Sequence, residues 1–464
     1  MLPSASGTVG ITLRVMRSFA RSAMSTVAVL LTAVLLAGGC ADPHPAGPKS
    51  PLAVIVSGDT AGWIVPCGCT SKQDGGLLRR GTYVTKAREQ ASVVLVDVGG
   101  APGGSSPYEQ LKFAAILRGE LAMGLAAHNL GAAEAALGAE AIRRLAKELN
   151  IPFVSCNVRD ADGQLVAEPL RVVEAGGRKL AVVGALSPAY AGGGLTVAEP
   201  RGAVLAAVAN LKTPFDVLVV LAYLPEDELQ ELAKSLPEAD LVLGGPTRQP
   251  VAPRRSGPTT WAAATNKGKF LVHLRLPAGD KLPWEGEVVE LGPEWVDGER
   301  QVENLDRFHA ELAKRDFAAS ETGLAAALAE DRPADFRVAG TGACQTCHAA
   351  DCAQWSESAH GHAWTTLVDK RSQFDPYCQQ CHTTGYGLPG GFESVARSPQ
   401  RTGVGCESCH GPSLAHAERP RTNTMYAARD LCVRCHDREN SPQFEYAVYW
   451  PQIEHGQVAG NRTE

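Results

Sequence analysis

Four runs of Cys-x-x-Cys-His stand in the last quarter of the chain: Cys344-x-x-Cys347-His348, Cys378-x-x-Cys381-His382, Cys406-x-x-Cys409-His410 and Cys432-x-x-Cys435-His436. Two thiols at this spacing can add across the two vinyl groups of one porphyrin. The His that follows can then reach the iron as an axial ligand. The pattern predicts covalent c-type haem at each pair, four haems in all, with His348, His382, His410 and His436 as proximal ligands. Zinc held by the Cys pairs would account for the thiols but not for a His after every second Cys.

Four porphyrins must be housed by residues 340–464, too short a segment to build an ordinary apolar core around them. The porphyrins themselves must be the core, wrapped by short helices and loops with few strands. Gly and Pro are frequent here, as such a shell requires. A ninth Cys in this region, Cys352, has no pair and reads as a small buried residue rather than a ligand. Upstream, Val302, Leu305, Phe308, Leu312 and Phe317 recur at helical spacing among charges. They predict a long amphipathic connector helix over 299–331, ended by Pro333. His309 on that helix reads as a surface or packing residue.

The chain has 464 residues, 13 Cys and a formal net charge of −6. That length suggests two or three domains, and the near-neutral balance without a basic block argues against nucleic acid as a partner. Arg14, Arg17 and Arg21 precede an apolar run from Thr26 to Ala37 that ends in Gly38-Gly39-Cys40. The run is short for a membrane span and reads as an export signal. A Pro-rich tether follows. The three remaining cysteines, Cys67, Cys69 and Cys156, could form a disulfide, bind a soft metal or remain separate thiols.

Between about 51 and 296, short apolar runs alternate with helical patterns. Strands are expected at Leu52–Val56, Val93–Val96, Phe153–Ser155, Leu180–Val183, Val217–Val220 and Leu241–Leu243. Helices are expected at Tyr108–Ala127, Ala132–Leu149 and Glu226–Leu236. The fold class is thus multidomain: a layered α/β domain, then a small domain of helices and loops.

The punctuation of the α/β region resembles the 5'-nucleotidase branch of the calcineurin-like metallophosphatases. The resemblance rests on Ser57 to Gly62, Gly75 to Arg80, Val96 to Gly100, Ala136 to Gly138, Ser155 to Val158 and Leu243 to Gly245. It implies a site of two metal ions held by Asp, His and Asn. Here Ala61 replaces the first His and Gly100 the bridging Asp. Ala139 and Glu140 stand for Asn-His, and Tyr223 for the next His. Pro246 and Arg248 fall where two further His are expected. Only Asp59 survives, so the resemblance implies the fold without the hydrolysis.

The C-terminal region resembles the tetrahaem cytochrome c family of nitrifying bacteria. The likeness is carried by the four motifs, by Trp355 to His360, Thr383 to Gly387, Gly403 to Pro412 with His416, and Tyr449 to Gly456. It implies distal His ligands from other loops, with His360, His416, His455 and His362 as candidates. The first three leave one of four irons without a second ligand. The N-terminus resembles a bacterial lipoprotein signal, with Cys40 as the lipidated residue.

Together these readings divide the chain into a signal peptide (1–40), a tether (41–50), a degenerate 5'-nucleotidase-like domain (51–296), a helical connector (297–339) and a tetrahaem domain (340–464). The expected function is an exported, periplasmic, lipid-anchored electron carrier. Its partners would be redox proteins, quinol-linked or soluble cytochromes, and a membrane. Rival expectations are a reductase or oxidase of a small nitrogen or sulfur compound at a five-coordinate haem, a metal-dependent phosphoesterase, and a structural subunit of a larger redox complex.

Overall fold

The computed structural model describes residues 49–65, 74–279, 283–424, 426 and 428–456. The expected signal, Cys40, Cys67 and Cys69 lie outside them.

Among the described residues fourteen strands form in chain order. They are β1 (Leu52–Ser57), β2 (Ser92–Asp97), β3 (Leu125–Asn129), β4 (Phe153–Val154), β5 (Val158–Arg159), β6 (Leu170–Ala175) and β7 (Arg178–Leu186). Then come β8 (Thr196–Val197), β9 (Val217–Tyr223), β10 (Leu241–Gly245), β11 (Val251–Ser256), β12 (Thr259–Ala263), β13 (Phe270–Leu276) and β14 (Glu285–Glu290). The helices of this half are α1 (Leu77–Arg88), α2 (Pro107–Ala122), α3 (Ala132–Leu149), α4 (Pro200–Ala209), α5 (Glu226–Ser235) and α6 (Glu299–Arg315).

Two six-stranded sheets result, in the orders β14-β13-β1-β2-β3-β4 and β11-β12-β10-β9-β7-β6. Their apolar strands are buried on both faces, which explains the near-continuous Val, Leu and Ile runs. Along β1, Val54 and Val56 enter the core between the sheets with Val219, Leu221 and Leu243. Ile55 points the other way, into the helix-side core with Leu77, Ile116 and Phe308. A third core joins the outer face of the second sheet to α4 and α5. The half is therefore four layers deep, helix, sheet, sheet, helix.

Three expectations need correction. The helix expected over Tyr108–Ala127 ends at Ala122, and β3 begins at Leu125. Gly124, at φ 75°, turns the chain between them, and the apolar stretch after it pairs parallel with β2 and β4. The alternation of strand and helix stops after β10, where β11 to β14 follow one another without helices. The connector helix expected over 299–331 ends at Arg315, because Asp316 adopts the left-handed conformation at φ 43°. Only a short 3-10 turn, Ala319–Glu321, follows it within the connector.

Helix α6 belongs to the α/β half. Gln301 and Asn304 donate to the carbonyls of Gly119 and Ala115 in α2, at 2.9 and 2.8 Å. Phe308 and Leu312 lie on the same face and are fully buried. A side chain at Gly119 would place its Cβ 2.7 Å from the Gln301 amide oxygen, so any larger residue there would have to displace that side chain.

From residue 340 on, the described chain has no strands beyond an isolated bridge of Thr383 with Thr402. It carries α7 (Thr341–Cys344), α8 (Ala349–Ser356), α9 (Ala363–Asp369), α10 (Pro376–His382), α11 (Cys406–His410), α12 (Leu414–Glu418) and α13 (Tyr446–Tyr449). Its buried apolar side chains are Ala363, Leu367, Tyr386, Phe392 and Leu431. That is far too few to hold so much chain together by burial.

Candidate haem sites

Each motif places its three ligating residues on one helical turn. In the first, the amides of Cys347 and His348 both bond the Cys344 carbonyl, at 3.2 and 2.9 Å. In the last, the amides of Cys435 and His436 bond the Cys432 carbonyl at 3.2 and 2.9 Å. Residues three and four apart on a turn share a face, so both thiols and the imidazole point to one side. Among the described residues the motif cysteines form no disulfide, and all are at least partly exposed.

The eight histidines of interest then fall into three pairs and two singles. The His348 and His416 rings lie 6.2 Å apart by their centroids, although α12 carries the second. His410 and His455 lie 5.9 Å apart, and His436 and His360 lie 6.1 Å apart. An imidazole nitrogen sits about 2 Å from a first-row metal ion, so two rings sharing one ion have centroids roughly 6 Å apart. All three pairs meet that separation. Among the described residues no second imidazole ring packs against His382, and His362 stands at the start of α9 outside the three pairs.

The ring nitrogens are oriented to match. A carbonyl oxygen can only accept, so an Nδ1 bonded to one must carry its proton and leave Nε2 with the lone pair. This holds for His382 with the Ala363 carbonyl at 2.7 Å and for His416 with Thr422 at 2.6 Å. It holds equally for His455 with Ile453 at 2.9 Å. His436 Nδ1 lies 3.1 Å from the Ser441 hydroxyl, and His348 Nδ1 lies 3.4 Å from the Asp351 carboxylate. Partners of this kind fix a metal-binding imidazole in its tautomer and orientation. Phe444 stacks on His436 at 4.7 Å. The residues present fit iron porphyrin in donor type, spacing and tautomer.

Sequence reasoning missed these orienting partners. Asp351, three residues beyond His348 on a helical pattern, was visible in principle. Glu407, inside the third motif, was not: its buried carboxylate accepts from the amides of Ala339, Gly340 and Ser413, tying three segments together. Cys352 is half-buried on α8 and its amide bonds the His348 carbonyl. His309 is half-buried on α6, and burial depresses its pKa.

Residues 343–411 match the family described as cytochrome c554 and c-prime. Cytochrome c-554 of Nitrosomonas europaea is 35% identical over 167 residues, which span 27% of this chain and 69% of that protein. The chain belongs to the cytochrome c554 family. Its C-terminal region is therefore that of a multihaem cytochrome with c-type haem iron as cofactor. Of solved structures, a 5'-nucleotidase precursor from Thermus thermophilus is 20% identical with a TM-score of 0.49, covering 58% of this chain and 60% of that one. The calcineurin-like phosphoesterase YfkN from Bacillus subtilis is 16% identical, also at 0.49, covering 57% and 98%. The chain thus spans less than two thirds of the nucleotidase's length.

In this cytochrome c554 family member the α/β half has its own polar centre. Asp59 follows β1 at φ 51° and accepts a hydrogen bond from Thr265 at 2.8 Å. Gly100, at φ 80°, lies opposite. A Cβ there would stand 2.8 Å from the Tyr223 ring and 2.9 Å from its hydroxyl. Burial and the neighbouring Asp59 push the Tyr223 phenol far up, so it stays neutral. The aromatic side chain fills the space where a carboxylate at position 100 would reach. Gly138 and Ala139 lie within α3, at its kink, and the chain leaving β3 runs Leu130-Gly131-Ala132-Ala133.

Beneath this surface lies a cluster that the sequence reading overlooked. Asp97, Glu120 and His128 each place a donor atom within 4.8 Å of the others, all buried. The Arg80 guanidinium already provides their cation, 3.3 Å from Glu120 and 3.8 Å from Asp97. His128 is clamped between Glu120 at 2.9 Å and Glu134 at 3.2 Å. Burial alone would lower its pKa, but the carboxylates of Glu120 and Asp97 hold it well above the ordinary value. Burial and the adjacent Asp97 push Glu120 up to about 7. Glu134 also receives the amides of Gly100, Ala101 and Gly131, fixing the loop over which Tyr223 packs.

Cys156 is a free, buried thiol in the core against α4 and α5, and burial pushes its pKa up to about 12. Among the described residues no helix is long and apolar enough to cross a membrane.

Proposed function

We propose that this chain is an exported electron carrier holding four c-type haems, one on each Cys pair. Three irons take two imidazoles each: His348 with His416, His410 with His455, and His436 with His360. His382 is the sole protein ligand of the fourth. The three ring pairs at iron-spanning separation carry this reading. Bound haem supplies a one-electron iron couple. The paired histidines saturate the coordination sphere, which favours electron transfer over ligand chemistry. The Nδ1 partners of His348, His382, His416, His436 and His455 keep those rings oriented, so little rearrangement accompanies each transfer. The chain leaves the cytoplasm and is held at a membrane through lipid on Cys40, with redox proteins as partners. The nucleotidase-like half serves as scaffold and docking surface and hydrolyses no phosphate ester, because Tyr223 and Gly100 leave no bridging carboxylate.

One observation favours a second reading. Among the described residues no second ring packs against His382, so a small nitrogen or sulfur compound could reach the metal there and be reduced or oxidised.

Mass spectrometry after acid extraction is expected to give the polypeptide plus four haems. Electron paramagnetic resonance is expected to show three low-spin irons and one high-spin. In the His416→Ala variant the high-spin count should rise to two with all four haems still covalently attached, since thioether bonds come from other residues. An unchanged spectrum in that variant would refute the pairing. Carbon monoxide that perturbs a single haem would support access at His382, and a spectrum indifferent to it would remove the second reading.

A further inference from the structure

One carboxylate lies between two of the proposed haem sites. Asp351 sits in the first turn of α8, three residues after His348. Its Oδ2 is 3.4 Å from His348 Nδ1. Its other oxygen, Oδ1, accepts the Gly456 amide at 3.1 Å. One turn further along α8, the Gln354 amide donates to the Glu454 carbonyl at 2.8 Å. The residue between these two anchored positions is His455, whose ring faces His410. Helix α8 thus begins at the proximal ligand of the first motif and grips, at both flanks, the distal ligand of the third.

We propose that Asp351 is a positioning residue shared by two haems. Through Oδ2, at ion-pair distance from Nδ1, it orients the His348 imidazole, and the adjacent negative charge makes Nε2 a richer donor to iron. Through Oδ1, and with Gln354, it fixes the loop that presents His455. The inference rests on the ring pairing proposed above. A richer donor stabilises the ferric state, so the first-motif iron should have a lower potential than one oriented by a neutral hydroxyl, as at His436 and Ser441.

Three variants of the full haem-loaded chain separate the two roles. Asp351→Asn keeps an oxygen for the Gly456 amide but removes the charge. It should shift one midpoint potential upward and leave the spin states alone. Gln354→Ala removes only a hold on the loop and should raise the high-spin population without moving that potential. Asp351→Ala should do both, taking the high-spin count from one haem towards two. Four covalent haems by mass certify each variant as assembled. If Asp351→Ala does not assemble, the other two decide. If wild-type protein lacks three low-spin irons, the pairing itself fails. If it has them, and Asp351→Asn leaves every potential in place while Gln354→Ala leaves every spin state in place, the role of Asp351 fails alone.

Discussion

His128 stands at the centre of a buried cluster of charged groups. Glu120 and Glu134 bond its ring nitrogens, while Asp97 and Arg80 complete a fully buried set of five charges. Its pKa is raised on folding, so its contribution to stability is complete below the unfolded value of about 6.5 and is lost as pH climbs through the folded one. Glu120, raised by burial to about 7, works in the same direction. Thermal unfolding of the α/β half should therefore occur at lower temperature as pH rises from about 6 to about 9. In His128→Gln the midpoint should be lower throughout and its slope with pH shallower. Equal slopes for the two proteins would contradict the assignment. The four Cys-x-x-Cys-His runs stand out in the sequence because a porphyrin dictates such spacing. That the His416 ring would lie beside His348, and His360 beside His436, was not legible, since those rings meet only through tertiary contacts that leave no periodic trace.

At the scale of elements, the turn after α6 joins the two halves. Asp316 leaves the helix in the left-handed conformation and turns its carboxylate onto the cytochrome half. It accepts from the amides of Val395 and Ala396 at 3.0 and 2.8 Å and from the Ser394 hydroxyl at 2.9 Å. Nearby, the buried Tyr108 hydroxyl donates to Asp375 at 2.7 Å, and Asp375 caps α10, which carries the second motif. Trp63 meets Tyr377 edge to face at 5.4 Å. Replacing Asp316 by Ala strands three donors and should cost about 1–3 kcal/mol. Limited proteolysis should then cut residues 319–340 faster than in wild type, while the haem content stays the same. Equal cleavage rates would show that the latch contributes nothing. The strands of the first half were readable where they were apolar on both faces. β3 was not, because its apolar run continues the periodicity of α2 across Gly124. β14, with Glu285, Glu287 and Glu290 exposed along it, carries too few apolar residues to announce itself.

For the molecule as a whole, the two halves are stabilised by different means. One has three apolar cores, and the other has almost none of its own. Apoprotein lacking haem is expected to keep the circular dichroism and cooperative melting of the α/β half while its last quarter is digested by protease. Resistance of residues 340–456 without haem would show that the chain alone supplies their core. Purified holoprotein is expected to release no phosphate from nucleotides with manganese, zinc or magnesium added, and turnover abolished by Asp59→Ala would overturn that. Gly100 and Tyr223 were each visible in the sequence as departures from the ligand pattern it resembles. That they touch was not, because they are brought together only when β9 and the end of β2 meet across the two sheets.

That meeting imposes an order on mutational history. A carboxylate restored at position 100 would collide with the Tyr223 ring and adopt a backbone conformation that disfavours side chains. Gly100→Asp alone should therefore lower stability more than it does in a Tyr223→Ala background. The two substitutions should be non-additive in a double-mutant cycle of unfolding free energies. Any route to an acid at position 100 must first remove the tyrosine, at the cost of a cavity. The aromatic ring is thus a one-way latch on substitution at that position.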